Sequence, residues 1–303
     1  MIKKVKRILK YFNKPQNAAY IFILPAILIL LIFSVVPLLM SVIMSFLKIN
    51  IFLNGISFDG INNFEKILVD ERFWNSFKNT VYFVILEVPF QIILALLVGV
   101  YVCKNTKFRK FLRSTFFLPA VCSMTAIGIV WSFLLDPQIG MYPHFLTLLG
   151  APALQFLRDP VLAMPLIIFI TVWKNFGFSM VILVAGIQSI PNNYYEAAEI
   201  DGATKIEQFF KVTIPLLIPS LTFCIITNTI GSLQVFDQIF VITQGGPLFK
   251  TETIVAYIYN VGFNNSPYDL GYASSIAVVL FSLIVLLTLI MNNYLTQKEI
   301  GEM

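Results

Sequence analysis

Side chains able to do chemistry are few in this chain, and most of them sit where water is scarce. Glu87, Lys174 and Asp237 are the charged residues that fall inside long apolar runs. An ionisable group at membrane depth is costly and marks a functional position. Glu87 has Gln91 one helical turn further on, which is the best hook for a membrane-embedded enzyme. One carboxylate with a single histidine elsewhere, His144, is thin material for acid–base catalysis, and His144 reads as an ordinary loop histidine. Cys103, Cys122 and Cys224 lie in or beside apolar runs and show neither a disulfide framework nor metal spacing. None of the 15 glycines is followed by lysine, so the chain has no P-loop to cradle a nucleotide's phosphates. The H-E-x-x-H and G-x-S-x-G patterns are missing as well.

A second set of residues could bind without reacting. Asn228 and Ser232 are four apart and share one helix face, with Thr229 and Gln234 nearby. Trp173, Lys174, Asn175 and Phe178 surround Gly177, where a kink is expected. Hydrogen-bonding groups with aromatic faces suit a hydroxyl-rich cargo such as a sugar. The same Asn and Ser residues also serve as ordinary interhelical hydrogen bonders. Lys174 could greet an anionic cargo of the glycerol-phosphate kind, or hold its own helix in place.

The elements that position these residues follow from composition. Of 303 residues, 58% are hydrophobic and 12% charged, with a mean hydropathy of +0.82. Soluble domains carry about 25% charged residues. The balance excludes a soluble enzyme and a nucleic-acid binder, and it demands a bilayer as partner. Apolar runs at about 18–46, 79–102, 114–135, 161–188, 215–243 and 270–295 predict six spans. The first run is too long for a signal-peptide core and is expected to stay as a helix, kinked or ended near Pro25 and Pro37.

Lys/Arg asymmetry sets the expected orientation. Eleven of the 21 Lys/Arg lie in 1–17 and 103–113. Adding Lys205, Lys211 and Lys298 puts most of the positive charge on one side, which makes both termini cytoplasmic. The chain divides into a basic N-terminus (1–17), a six-helix membrane domain (18–295) and a short cytoplasmic tail (296–303). The loop 47–78 is long enough for a small external cap.

The loop 189–214 carries the densest signal. Pro191 suits the first turn of a short helix, and Gly202 suits its C-terminal break. Thr204 and Glu207 form a capping box that opens a second helix, which Pro215 is expected to end. Tyr194, Tyr195, Phe209 and Phe210 either rest in the lipid interface or face a partner protein.

Glu196-Ala197-Ala198, then Gly202, then Val212-x-Ile214-Pro215 resembles the EAA loop of binding-protein-dependent ABC importer permeases. Leu24-Pro25-Ala26, Gly60-x-x-Asn63-Phe64, Trp173-Lys174-Asn175 and Thr243-x-Gly245-Gly246-Pro247 look like the carbohydrate-uptake branch, the maltose-type F and glycerol-phosphate A permeases. The chain is identified as a member on those motifs. The resemblance implies an all-α membrane protein, with six transmembrane helices in the type I importer permease fold and a cytoplasmic EAA coupling helix. It implies a transport role rather than an enzymatic one, in a bacterial cytoplasmic membrane.

It further implies partners: a second permease subunit, two ATP-binding subunits and an extracytoplasmic solute-binding protein. ATP would be bound by the partner ATPase, and this chain would hold no cofactor and no metal. Carried over, Glu196, Ala197, Ala198, Asp201, Gly202 and Phe209 sit at the ATPase contact. Asn175, Phe178, Asn228, Ser232 and Gln234 sit along the substrate path. Gly245-Gly246-Pro247 and the first and third outer loops face the receptor. A secondary carrier is the alternative of a different class, and the lack of a visible inverted repeat counts against it.

Overall fold

The computed structural model describes residues 15–53, 55–150 and 155–301. The basic residues Lys3 to Lys14 therefore lie outside the described residues. Backbone packing divides the chain into two compact units, one of residues 1–68 with 261–278 and one of residues 69–260 with 279–303.

In the smaller unit, α1 (Pro15–Leu30) passes through a π-helical turn at Leu31–Val35 into α2 (Val36–Met44). The expected interruption near Pro37 takes this form, since a widened turn accommodates the missing N–H of a proline just beyond it. The apolar stretch Phe22–Met44 is long enough to cross a bilayer, and its side chains face outward. A two-residue hairpin pairs β1 (Leu47–Lys48) with β2 (Ser57–Phe58), and α3 (Asn62–Val69) follows. Asn63 pins this cap by donating its amide to the carbonyls of Ser45 and Leu47, both at 3.1 Å. The Lys66 ammonium reaches Asp269 at 3.3 Å and lies over the Tyr272 ring.

The larger unit is built on α4 (Glu71–Val102). It starts eight residues before the apolar run at 79 because Asp70 caps it, accepting from the amides of Arg72 and Phe73. Hydropathy alone misses that polar first turn. Next come α5 (Lys107–Val121) and α6 (Met124–Leu134), joined by a 91° bend. The third run is thus a broken span rather than a straight one. Pro119 sits in the last turn of α5, and Cys122 is extended, which ends the helix there.

After α7 (Met141–Leu148), α8 (Ala163–Ser189) runs unbroken through Gly177. The expected kink is absent. Gly177 instead lets α5 cross in backbone contact, because a Cβ there would strike the Phe116 carbonyl. Among the described residues, five helices are long and apolar enough to span a membrane, or six if the bent pair counts as one.

The loop 189–214 forms α9 (Asn192–Ile200) and α10 (Lys205–Gln208). A π-helical stretch at Phe209–Thr213 leads into α11 (Ile214–Leu233). Pro215 therefore does not end the second short helix. It follows the π-helical stretch, whose widened turn accommodates its missing N–H, and helix continues from Lys205 to Leu233. Pro191 stands one position before its helix, as the N-cap. The fifth span stops at Leu233 rather than 243, and a short α12 (Asp237–Ile242) follows it. After α13 (Ile254–Tyr259), α14 (Leu270–Gly301) carries the helix into the expected tail.

Two apolar clusters fill this unit. One gathers Phe83, Ile167, Ile170, Val235 and Ile239. The other gathers Ile92, Ala95, Met180, Leu183 and Leu217. Along α4, α8 and α11 the polar residues Glu87, Asn175 and Asn228 fall where one cluster gives way to the other.

Candidate functional site: a polar membrane cavity and a helix–turn–helix

At that changeover a cavity of about 300 Å³ opens among α4, α8 and α11. Asn175, Asn228, Ser232 and Gln234 all line it, as do Glu87, Lys174 and Asp237. Four of the five residues expected on a substrate path are thereby brought together from two distant segments. Phe178 is not with them; it is 51% exposed and does not line the cavity. By spacing it lies only about 60° around α8 from Asn175, yet its ring is exposed and outside the lining.

Buried hydrogen bonds tie the three helices together. Ser232 donates to Glu87 Oε2 at 2.5 Å. Gln91 and Asn228 both donate to Ser179 Oγ, at 3.2 and 3.0 Å. Glu87 and Gln91 are each 2% exposed. The Lys174 ammonium donates to the Ala120 carbonyl at 3.3 Å and to Asn175 Oδ1 at 3.2 Å. Sequence reasoning singled out Glu87 and Gln91 but placed neither beside Ser232 or Ser179. Glu87 and Ser232 are 145 positions apart, so no local spacing could have paired them.

The residues of the loop 189–214 have a different setting. Gly202 adopts φ +79°, the left-handed conformation that favours glycine. The Ala203 amide closes α9 by donating to the Ala198 carbonyl at 2.8 Å. Thr204 and Glu207 form both halves of the capping box. The Tyr195 hydroxyl bonds Thr213 at 3.0 Å and ties α9 to the π-helical stretch. Glu196, Ala197, Asp201 and Gly202 are exposed and Ala198 is half-buried. Phe209 is half-buried, whereas Phe210 and Ile206 stand out at 63% and 71% exposed.

A third constellation went unread in the sequence. Arg72 grips the fully buried Glu252 carboxylate through two bonds of 2.8 and 2.7 Å. Asn75 and Asn79 both donate to the Phe249 carbonyl, and Asn260 adds a bond to Glu252. These bonds fasten the Thr243–Thr251 segment, which contains Gly245-Gly246-Pro247, to the first turns of α4. The only hint was Glu252 itself, an acid set between threonines in an apolar neighbourhood.

Spans that bend and pair around a polar cavity, with a capped helix–turn–helix between two of them, define a multi-helix membrane permease. The chain matches the model of the binding-protein-dependent transport system inner membrane component over residues 72–300, and it belongs to that family. It is similar to a probable ABC transporter permease of Bacillus subtilis strain 168, 31% identical over 95% of this chain and 99% of the relative. It is also similar to the lactose transport system permease of Rhizobium radiobacter, 34% identical over 89% of this chain and 91% of the relative. A bacterial ABC transporter that imports the acidic polysaccharide alginate superposes with a TM-score of 0.80. That match has 26% identity and covers 96% of this chain and 99% of the other.

Proposed function

We propose that this chain is one membrane subunit of an ATP-driven importer for a saccharide, and that the cavity among α4, α8 and α11 is its share of the cargo path. The carrying observation is the cavity itself. Amide and hydroxyl groups of Asn175, Asn228, Ser232 and Gln234 converge on one half-open space within otherwise apolar helices. Hydroxyl-rich cargo matches such a lining, because each hydroxyl both donates and accepts. The family and its lactose and alginate relatives support the same reading.

The α9–α10 helix–turn–helix is the surface on which a separate ATPase docks. Small residues at Ala197 and Ala198 permit close approach, Glu196 offers a charged hydrogen-bond acceptor, and Gly202 sets the angle between the helices. A second permease subunit, two ATP-binding subunits and an extracytoplasmic solute-binding protein complete the machine. Basic loops place both termini in the cytoplasm. The segment held by Arg72 and Glu252 faces the receptor. ATP closure on one side then moves the spans and alternates access to the cavity.

Affinity capture of the tagged chain from its own membranes in mild detergent tests this. Recovery of a second permease, an ATPase and a solute-binding protein is expected. A chain that comes back alone, and that moves sugar in proteoliposomes without ATP, would overturn it in favour of a secondary carrier.

A further inference from the structure

Glu87 is a carboxylate at the cavity wall, and the cargo-path reading leaves it without a task. Its Oε2 takes the Ser232 hydroxyl, and among the described residues no donor reaches its Oε1. Oε1 is also not among the fully occluded, unpartnered atoms, so it keeps a small opening. The residue is 2% exposed overall, and the cavity is the space it lines. A carboxylate oxygen in such a place wants a hydroxyl donor and disfavours a second anion.

The other charges around the cavity reinforce that preference. Asp237, at the start of α12, adds a second negative group. Lys174 is the one cation in the lining, and two of its three donors are already committed to Ala120 and Asn175. Two carboxylates against one engaged ammonium leave the lining formally negative. At 300 Å³ the space is also at the small end of ligand cavities.

We infer that Glu87 is a specificity-determining residue of this cavity: its Oε1 accepts a hydroxyl of an uncharged saccharide and its charge rejects sugars that carry carboxylate, phosphate or sulfonate. The inference rests on the cavity being the cargo path, and it narrows the cargo from any saccharide to a neutral one. Ser232 then has two duties, holding Glu87 by a hydrogen bond and shaping the wall beside Asn228. Lys174 acts as a strut between α8 and the end of α5 rather than as an anion receptor.

The purified, assembled importer can be tested by native mass spectrometry. The probes are one set of neutral di- and trisaccharides and the matching set of uronic di- and trisaccharides. The wild-type complex is expected to retain neutral sugars about ten-fold or more over uronates, given the cost of opposing like charges. Glu87→Gln keeps the size and a hydrogen bond to Ser232, and is expected to bring the ratio to within about three-fold, mainly by admitting uronates. A residue that only held helices together would weaken both sets alike and leave the ratio unchanged, which would overturn the inference. Equal or stronger retention of uronates by the wild type would overturn it too. Failure of both sets to bind, with the complex intact, would instead remove the cargo-path reading on which the inference stands.

Discussion

In the membrane cavity the polar side chains bond one another between helices far apart in the chain, whereas on the helix–turn–helix most of them face outward or bond nearby residues. Ser232 meets Glu87, and Gln91 and Asn228 meet Ser179, all between helices far apart in the chain. On α9 and its turn, Glu196, Ala197, Asp201 and Gly202 face outward, and the hydrogen bonds that do form are local ones that shape the turn. The hydrogen bonds that shape the cavity wall close within this chain, so the wall stands without a partner. On the proposed reading the helix–turn–helix is half of an interface, so its chemistry is left exposed for a partner to finish. The difference separates two kinds of failure: damage to the cavity should cost binding and stability, and damage to the turn should cost coupling.

The largest break is expected at the turn. Gly202→Pro removes the left-handed conformation at φ +79° and reorients α9 against α10. ATP-driven uptake should fall to background while membrane insertion and saccharide binding persist, as read by uptake in vesicles beside binding to the purified complex. A bulky residue at Ala198 should do the same by blocking close approach. Gly177→Val comes next, since a side chain there strikes the Phe116 backbone and must push α5 off α8. Overpacking of this kind costs about 1–3 kcal/mol. It should lower the thermal midpoint and the cavity's affinity together.

Ser232→Ala should cost about 1–3 kcal/mol by leaving the Glu87 carboxylate unpartnered at 2% exposure. It should weaken saccharide binding without disturbing recovery of the ATPase. The smallest effect is expected from Thr204→Ala, which removes one cap of a four-residue helix at about 1 kcal/mol. It should trim transport slightly and leave binding untouched.

The two regions also differ in how far the sequence alone reveals them. The helix–turn–helix is legible because its determinants are neighbours: Gly202, Thr204 and Glu207 act over a few positions, and the structure reproduces the glycine turn and the capping box there. The cavity is legible only in pieces. Asn228 and Ser232 share a face by spacing, but their partner carboxylate lies 145 positions away on α4. Phe178 shares a helix face with Lys174 by spacing, yet it stands exposed outside the cavity lining, which spacing alone does not reveal. Hydropathy located every apolar span but not the ends. Asp70 extends α4 through polar residues, and Pro215 lies within a helix that begins at Lys205. The Arg72–Glu252 clamp spans 180 positions and has no local signature at all.

The most direct test puts Gly202→Pro and Ser232→Ala side by side in proteoliposomes holding the assembled importer, and reads bound saccharide and ATP-driven uptake for each. The account predicts that Gly202→Pro binds as the wild type does and transports nothing, and that Ser232→Ala binds less and transports in proportion to what it binds. The opposite pattern, with the turn variant losing binding and the cavity variant binding normally without transport, would contradict the division between cargo path and coupling surface.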